Sequence, residues 1–315
     1  MRPVRLRRNL PDRLRRVAAS VAAAGILTAN AAGVPTAHVT HAFDIRQGSE
    51  GALSLPSDVA VSGNGRIYIV DSGHHRIAAF DRGGTALFTV GKSGSGPSQF
   101  RNPVGIGVDG RGAFYVADKD NHRVQVFDGD GRWLRSFAVS VKGKPAPPID
   151  VAVDHQNRLY VTTNNHRVLM YDAHGKLLRQ WGGEGSNQGE FRYPATVAVD
   201  PQGAVYVVDI LNARVQAFDA RGKFIVPVGE WGVLPGQFFR PKGVATDSRG
   251  WVYVADSYLD VVQVFDQARR FLHVLGQGGK PQRFVSAGGI TVDHTDRLYV
   301  TEMLKHKVSV YELRP

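Results

Sequence analysis

The chain has 315 residues, 43% of them hydrophobic, with 36 Gly, 16 Pro and no Cys. This size allows a substantial core, and the lack of Cys excludes disulfide frameworks and lipidation on Cys. The formal net charge of +11 would be typical of a nucleic-acid-binding protein, but residues 1–31 carry seven Arg against one Asp, which is +6 of the +11. The rest of the chain is therefore only moderately basic.

Residues 1–31 have the layout of an export signal. The basic stretch MRPVRLRRNLPDRLRR is followed by the apolar run VAASVAAAGILT and by the small residues ANA at 29–31. The apolar run is shorter than the roughly 20 residues of a transmembrane helix, so no membrane anchor is predicted. A disordered basic arm or a misassigned start codon are the alternatives. The sequence predicts a periplasmic or secreted protein with a signal at 1–31 and a single folded domain at 32–315.

One sequence unit then recurs six times. Its copies are VDSGHHRIAAFD (70–81), ADKDNHRVQVFD (117–128), VTTNNHRVLMYD (161–172), VDILNARVQAFD (208–219), ADSYLDVVQVFD (255–266) and TEMLKHKVSVYE (301–312). The Tyr before each copy recurs every 45 to 47 residues, the period of a repeat architecture. Six copies of a unit cannot each be the active site, so the acids and His in it are predicted to be structural.

Each repeat predicts four short strands. In PVGIGVDGRGAFYVADKDNHRVQVFDGDGRWLRSF (103–137), runs rich in Val, Ile and aromatic residues alternate with DGRG, KDNH and DGDG, which hold the residues that tight turns need. Units of four antiparallel strands repeated at this period predict an all-β propeller, in which each small sheet packs against its neighbours around a central axis.

Two stretches carry a family resemblance. GSGPSQFRNPVGIGVDGRGAFYVADKDNHRVQVFD (94–128) and GSNQGEFRYPATVAVDPQGAVYVVDILNARVQAFD (185–219) resemble the NHL repeat, which implies a six-bladed β-propeller covering residues 38–313. The repeats fall at about 55–91, 100–137, 147–182, 191–229, 238–276 and 285–313. The resemblance is weak evidence for function, because propellers host many unrelated activities.

The end of the chain predicts how the ring closes. The sixth repeat ends at VSVYELRP, after its third strand, and THAFDIRQG (40–48) takes the place that an outer strand has in the other repeats. Residues 38–48 are therefore predicted to complete the last blade. Such a joint removes the open sheet edge that would otherwise promote aggregation.

In most repeats an acid ends the second strand and a base begins the third. These are predicted to form partly exposed structural ion pairs: Asp71 with Arg76, Asp118 with Arg123, Asp209 with Arg214, and Glu302 with Lys307. The third repeat keeps Arg167 but has Thr163 in the acid position, and the fifth keeps Asp256 but has Val261 in the base position. The unpaired Arg167 and Asp256 are candidate ligand residues, with solvation of both side chains as the alternative.

A ligand site is predicted at the mouth of the central channel, where the innermost strands begin. Three blades have Gly at this position, and the other three have Asp58, Asp150 and Thr196. Two carboxylates near one axis suit a divalent cation or a cationic group, whereas hydrogen bonds to neighbouring amides are the alternative, and no cofactor is firmly implied. Lys242 and Tyr258 lie on the surrounding loops, which carry many cations suited to an anionic ligand.

Three classes of function remain. The first is a monomeric, non-catalytic binding, sensor or scaffold module for a protein, peptide or glycan. The second is an enzyme similar to amidating lyases or metal-dependent lactonases, but the positions of the lyase zinc His hold Ser57, Val104, Ile149, Ala195, Lys242 and Gly288, and no catalytic residue is predicted. The third is single-stranded RNA binding, which applies only if the leader is not an export signal.

Overall fold

The computed structural model describes residues 34–313, which form a closed ring of six β-sheets. The predicted export signal at 1–31 lies outside the described residues. The predicted all-β, six-bladed propeller with four-stranded antiparallel blades is confirmed. No helix within residues 34–313 is long and apolar enough to cross a membrane.

We number the blades in chain order and give their strands from the axis outward. Blade 1 contains Pro56–Val61, Ile67–Asp71, Arg76–Phe80 and Ala86–Val90, blade 2 contains Pro103–Val108, Phe114–Asp118, Arg123–Phe127 and Trp133–Ala138, and blade 3 contains Pro148–Val153, Leu159–Thr163, Arg167–Tyr171 and Leu177–Gly182. Blade 4 contains Pro194–Val199, Val205–Asp209, Arg214–Phe218 and Phe224–Val228, blade 5 contains Pro241–Thr246, Val252–Asp256, Val261–Phe265 and Phe271–Gln277, and blade 6 contains Ala287–Val292, Arg297–Glu302, Lys307–Leu313 and Val39–Ile45.

The two faces of the ring differ in their loops. One face, which we call the loop face, carries the connections between blades and the short loops between second and third strands; the other, the turn face, carries the tight turns. Short paired segments stiffen the connections: Gln47–Gly48 with Gly51–Ala52, Lys92–Ser93 with Gln99–Phe100, Ser140–Val141 with Lys144–Pro145, Glu230–Trp231 with Gln237–Phe238, and Lys280–Pro281 with the end of Phe271–Gln277. Four of the short loops contain 3₁₀ turns: Ser72–His74, Lys119–Asn121, Ile210–Asn212 and Met303–Lys305.

The tight turns form because an Asp side chain replaces missing backbone partners. Asp128 accepts hydrogen bonds through Oδ1 from the amides of Asp130 and Arg132, at 3.0 and 2.8 Å. Gly131 follows with φ of +85°, a conformation that disfavours a Cβ. The DGDG motif therefore specifies the turn between the third and fourth strands, as the sequence predicts.

The core consists of apolar layers between adjacent blades, and each second strand contributes a buried Tyr to it. In five blades the Tyr hydroxyl donates to an Asp at the first turn, at 2.9 to 3.1 Å: Tyr115 to Asp109, Tyr160 to Asp154, Tyr206 to Asp200, Tyr253 to Asp247 and Tyr299 to Asp293. Burial, followed by the Asp109 charge, raises the pKa of Tyr115 to about 12. These phenols therefore stay neutral and satisfied inside the core.

The N-terminal segment closes the ring as predicted. Val39–Ile45 runs antiparallel to Lys307–Leu313 and completes blade 6. The sequence did not predict a further contact: Thr36–Ala37 pairs in parallel with the outer strand of blade 5. Val34 also packs there in an apolar cluster that includes Val261. The segment from residue 34 to 45 thus binds two adjacent blades and covers the outer edges of both.

We predict that this segment is required for stability. A chain that begins at residue 46 exposes one edge of Lys307–Leu313, so its melting temperature should fall by on the order of 10 °C or it should aggregate. A chain that begins at residue 38 loses only the short contact with blade 5 and should show a smaller change. Differential scanning calorimetry against a chain that begins at residue 34 measures both effects. Equal melting of the chains that begin at 34 and 46 would contradict closure by this strand.

Candidate functional site

The innermost strands enclose a central channel of about 220 Å³. Each innermost strand pairs on one side only, so its other edge faces the axis. The channel wall consists mainly of Val, Ala and Ile side chains, together with Asp58, Asp150 and three Thr. The two acids are paired with Val70 and Thr162 near the ends of the second strands, which places them at the loop-face end of the channel. The structure therefore brings these two predicted site residues together.

Both acids are buried, with 6% of Asp58 and 5% of Asp150 exposed, and both bind backbone amides. The Asp58 Oδ2 atom accepts a hydrogen bond from the Ile106 amide of blade 2 at 2.9 Å. The Asp150 carboxyl accepts hydrogen bonds from its neighbour Val151 at 2.7 Å and from Val197 of blade 4 at 2.9 Å. Each acid therefore ties its own blade to the next one through an amide on the unpaired strand edge.

The Gly residues at the equivalent positions provide the space for these carboxyls. A Cβ added to Gly105 would overlap Asp150 Oδ1, and a Cβ added to Gly289 would overlap Asp58 Oδ1. The pattern of Gly and Asp around the axis is thus steric complementarity between neighbouring blades. Both acids therefore accept hydrogen bonds from backbone amides, which is the alternative to cation binding that the sequence leaves open.

The two acids also interact with each other, and this changes their protonation. Burial, followed by the charge of Asp150, raises the pKa of Asp58 well above its usual range. Burial raises the pKa of Asp150 to about 6, although its two amide bonds favour the charged form. Both shifts favour the protonated form, so we expect this pair to bind a proton at a higher pH than ordinary carboxyls do.

This arrangement does not fit a divalent cation. A hard cation needs several oxygens that are free to coordinate it, but here three of the four carboxylate oxygens already accept hydrogen bonds from backbone amides. Within residues 34–313 no group of three or more His, Cys, Asp or Glu side chains is placed to hold a metal ion. The other polar groups on the wall are Thr hydroxyls. We therefore derive no metal chemistry at the axis.

The other two predicted mouth residues are neighbours. The Thr196 hydroxyl of blade 4 donates to the backbone carbonyl of Lys242 in blade 5 at 2.7 Å, which again ties two blades together. Lys242 is half-buried, and burial followed by the charge of Arg240 lowers the pKa of its ammonium group. The mouth of the channel thus has a cationic side beside a buried, partly protonated acid pair.

The four predicted ion pairs form, but they are more deeply buried than expected. Their N–O distances are 2.7 Å for Arg76 and Asp71, 2.7 Å for Arg123 and Asp118, 3.0 Å for Arg214 and Asp209, and 3.0 Å for Lys307 and Glu302. The expectation of partly exposed pairs is wrong for the acids, because each is at most 1% exposed. Each acid is enclosed by the connecting loop of its own blade, which the sequence periodicity does not reveal.

Asp118 shows what such an acid does. Its carboxyl accepts hydrogen bonds from the Arg101 amide at 2.8 Å, the Asn121 side chain at 2.8 Å and Arg123 Nε at 2.7 Å. These donors belong to the connecting loop, the 3₁₀ turn and the third strand. We call this arrangement the acid node, and it fixes three parts of the loop face to one buried group.

The His of the repeated motif has a role at the next junction between blades. In three blades its Nδ1 accepts a hydrogen bond from the amide that lies just before the next innermost strand: His75 from Asn102, His166 from Tyr193 and His306 from Leu55, at 3.1 to 3.3 Å. The three donor residues have φ between 48° and 67°, so the bond stabilises an unfavourable backbone conformation. The sequence predicts these His to be structural, and the structure identifies their partners.

The two broken pairs differ from each other. Asp256 is fully buried and accepts hydrogen bonds of 2.7 to 3.0 Å from four backbone amides, those of Phe239, Arg240, Tyr258 and Leu259. Both of its oxygens are therefore satisfied within blade 5. Arg167 in blade 3, in contrast, has a buried Nη1 atom without any hydrogen-bond partner among the described residues. Tyr258 lies on the surface, with its ring 4.1 Å from that of Phe239.

Some exposed residues of the loop face were not recognised from the sequence. Leu211, Leu234 and Leu304 are 47% to 67% exposed on loops of this face. A signal for Leu211 and Leu304 was present, because their loops read ILNA and MLKH where other repeats have the polar SGHH or KDNH. Large apolar residues at positions that are polar in other copies are a sign of a contact surface.

We predict that the acid node is a major source of stability. Replacement of Asp118 with Ala strands the partly buried Arg123 and leaves a buried amide unpaired, so the free energy of unfolding should fall by about 3–5 kcal/mol. Asp130→Ala is the matched control, because its carboxylate is 82% exposed and pairs only with Arg66, and it should cost less than about 1 kcal/mol. Urea titration measures both values. Equal losses in the two variants would show that Asp118 is not a buried node.

We predict a second effect that depends on pH. Because the acid pair has a raised pKa, the folded protein keeps a proton that the unfolded chain releases above about pH 4. The free energy of unfolding should therefore decrease as the pH rises from 5 to 8, by on the order of 1–3 kcal/mol. Asp58→Asn mimics the protonated acid and should flatten this dependence, whereas Asp130→Asn should not. Parallel profiles for wild type and Asp58→Asn in urea titrations would refute a shared proton.

Comparisons with known proteins agree with this architecture. No curated protein matches the sequence. Among solved structures, the gluconolactonase of Xanthomonas campestris is 17% identical, with 90% of this chain and 97% of that chain covered and a TM-score of 0.64. A catalytically inactive His-to-Ala variant of virginiamycin B lyase from Staphylococcus aureus, with quinupristin, is 14% identical over 90% of this chain and 96% of that one, with a TM-score of 0.61.

A protein of unknown function from Bacteroides thetaiotaomicron is 15% identical, with 88% of this chain and 74% of that chain covered and a TM-score of 0.67. At these identities the likeness concerns the fold alone. The family profile described as NHL repeat matches residues 53–80 and 100–127, in blades 1 and 2. The same acid node recurs with Asp209 and Arg214 in blade 4, outside the matched residues. The NHL repeat matches in blades 1 and 2 and the six-bladed ring together identify a six-bladed β-propeller with NHL repeats.

Proposed function

We propose that the protein is an exported, non-catalytic binding or scaffold propeller that recognises a protein or peptide partner on its loop face. The NHL propeller fold supports a binding or scaffold role in general. The observation that carries the proposal for the loop face is the unequal distribution of exposed apolar side chains over the ring. This distribution distinguishes the loop face from the turn face.

Eleven large apolar residues are exposed in the part of the chain that the structure describes. Six of them lie on the loop face: Leu55, Leu211, Trp231, Leu234, Tyr258 and Leu304. The other five lie on the fourth strands at the outer wall: Leu87, Leu134, Leu177, Leu178 and Ile225. None of these eleven belongs to a turn of the turn face. Exposed aromatic and aliphatic groups gain free energy when a partner covers them, which favours the loop face as the interface.

The apolar residues are densest on blades 4 and 5. Trp231 and Leu234 lie on the connection between these blades, and Leu211 and Tyr258 lie on their short loops. Tyr258 packs against Phe239, so its ring is held in place before any partner arrives. A fixed aromatic side chain loses little conformational entropy on binding and is a typical anchor of a protein interface.

The charge of the same face favours an acidic partner. Its loops carry ten cations: Lys92, Arg101, Lys119, Lys142, Lys144, Arg192, Arg240, Lys280, Arg283 and Lys305. Lys242, predicted on a loop, is the second residue of the innermost strand Pro241–Thr246. Cations around an apolar patch increase the rate of association with an acidic surface and select against basic ones. We therefore expect a protein or peptide that presents acidic residues around an apolar segment. Glycan and single-stranded RNA ligands are alternatives that binding assays distinguish.

The channel does not favour the enzymatic alternative. Its two acids are buried and already accept hydrogen bonds from backbone amides, so a substrate has little access to them. Three of the His in the repeated motif act as hydrogen-bond acceptors for backbone amides. The likeness to a lactonase and a lyase concerns the fold and does not transfer their chemistry.

Export is part of the proposal and is supported by the order of basic, apolar and small residues in 1–31. Protein isolated from the extracytoplasmic fraction should begin near residue 32, which N-terminal sequencing determines. Full-length chain confined to the cytoplasm would contradict export. In that case the RNA-binding alternative would gain support.

We predict that Trp231→Ala combined with Tyr258→Ala abolishes partner binding. The native partner is captured with tagged protein from the organism's extracytoplasmic extract, identified by mass spectrometry and titrated by calorimetry. Loss of two aromatic anchors should weaken its affinity at least about 100-fold. The matched control is Leu87→Ala combined with Leu134→Ala, which truncates two exposed residues on the outer wall and should leave the affinity unchanged. A partner that binds both double variants equally would exclude the loop face of blades 4 and 5.

A further inference from the structure

In blade 3 the acid node is incomplete, and no other contact within residues 34–313 replaces the missing acid. The complete nodes show what is missing. In blade 2, Arg123 donates through Nε to Asp118 and through Nη2 to the carbonyls of Gly96 and Gln99 in the connecting loop. Arg214 makes the same kind of contacts in blade 4. In both cases the guanidinium is neutralised by its own blade and hydrogen-bonded by the connecting loop.

Arg167 of blade 3 lacks both partners. The acid position holds Thr163, which is fully buried and uses its hydroxyl to bind the Arg167 backbone carbonyl at 3.2 Å. The Nη1 atom of Arg167 is buried, lies close to Gly183 and has no hydrogen-bond partner among the described residues. A buried guanidinium nitrogen that has lost its water without gaining an acceptor is costly, so it calls for a ligand.

The connecting loop of blade 3 can be aligned with that of blade 1 by its hydrogen bonds. The Leu53 amide donates to the Arg46 carbonyl at 2.8 Å, and the Ala146 amide donates to the Val139 carbonyl at 2.9 Å. Both loops contain a two-residue antiparallel pairing inside this bond. The two hairpins therefore correspond residue by residue, and position 50 is equivalent to position 143.

The aligned hairpins differ in charge at and around the position that contacts the Arg in blade 1. In blade 1, Glu50 accepts a hydrogen bond from Arg76 Nη1 at 3.2 Å. In blade 3 the equivalent residue is Gly143, and it is flanked by Lys142 and Lys144, both exposed. The blade 3 hairpin thus lacks the acid of the blade 1 hairpin and has a cation on each side of that position. This charge pattern disfavours an internal partner for Arg167 and attracts an external anion.

A second unpartnered polar atom lies in blade 2, beside the connection that leads to blade 3. His122 of blade 2 occupies the position of His75 and His166, but its Nδ1 is buried without a hydrogen-bond partner among residues 34–313. The amide that the other His accept from is missing, because Pro147 stands at that position. The His122 backbone carbonyl accepts from the Val139 amide at 2.8 Å, so this His contacts the same hairpin.

We propose that the junction between blades 2 and 3 is a carboxylate-binding site in which Arg167 pairs with an acidic side chain of the bound peptide. The carboxylate takes the role that Asp118 and Asp209 have in neighbouring blades. Lys142 and Lys144 attract it, and the Nδ1–H tautomer of His122 supplies a further donor at the junction. A guanidinium and a carboxylate match in geometry and form two parallel hydrogen bonds, which favours a carboxylate over a spherical anion.

That the carboxylate belongs to a peptide rests on the proposed function, but the anion site itself does not. We therefore titrate the protein at low ionic strength with a hexaglutamate peptide and with free succinate. A third titration with sodium chloride, matched in ionic strength, tests whether a spherical anion binds as well. Wild type should bind the peptide, and Arg167→Gln should bind it at least about tenfold more weakly, which is 1.4 kcal/mol. Arg123→Gln is the matched control: its Arg is already paired, so the variant should lose stability and retain peptide affinity.

Thr163→Asp provides a second, independent variant. The new carboxylate lies in the acid position and should pair with Arg167, so peptide affinity should fall as in Arg167→Gln while the melting temperature rises. Unchanged peptide affinity in Arg167→Gln would overturn the site, whether or not Thr163→Asp folds. Succinate binding that equals peptide binding and is lost in Arg167→Gln would support a carboxylate site and overturn its assignment to a peptide. Equal binding of chloride and peptide would overturn selectivity for carboxylates.

Discussion

The loop face of this propeller depends on a buried acid that ends the second strand in five of the six blades. An ionised or hydrogen-bonded carboxyl without solvent must satisfy all its lone pairs within the protein. In blade 2 it does so with the connecting loop, the 3₁₀ turn and the third strand together. The loops that would otherwise be the most variable part of the ring are therefore fixed by its most buried charges. A rigid loop face is also what a binding surface needs, because little entropy is lost when a partner docks.

The exceptions show how strictly this constraint applies. In blade 5 the base is replaced by Val261, which packs in the apolar cluster around Val34, and Asp256 instead receives four backbone amides. Asp256 is therefore fully hydrogen-bonded although its usual basic partner is absent. In blade 3 the acid was lost, yet Arg167 was kept with a buried, unpartnered nitrogen. A buried, unpartnered guanidinium nitrogen is the opposite of what stability alone favours, which is why we infer a ligand there.

The axis and the loop face have different roles. At the axis, Asp58 and Asp150 accept hydrogen bonds from backbone amides of neighbouring blades, so they connect the blades around the channel. On the loop face, large apolar side chains such as Trp231 and Leu211 and cations such as Lys142 are exposed. The fold thus uses its axial polar groups for cohesion and leaves recognition to the loops, where sequence changes cost the core little.

The sequence by itself determined the period, the four strands of each blade, the closure by residues 38–48 and the pairing of acids with bases. These features are local or recur at a fixed spacing, so alternation, turn residues and repeat comparison reveal them. Only the tertiary structure decided that the acids are fully buried, that burial raises the pKa values of Asp58 and Asp150, and that Thr36–Ala37 extends blade 5. It also decided that one polar atom each of Arg167 and His122 has no partner among the described residues. Each of these depends on contacts between blades or with a connecting loop, where steric fit, such as the room left by Gly105 and Gly289, sets burial and distance. Such contacts join residues that are far apart in the chain, and no local pattern encodes them.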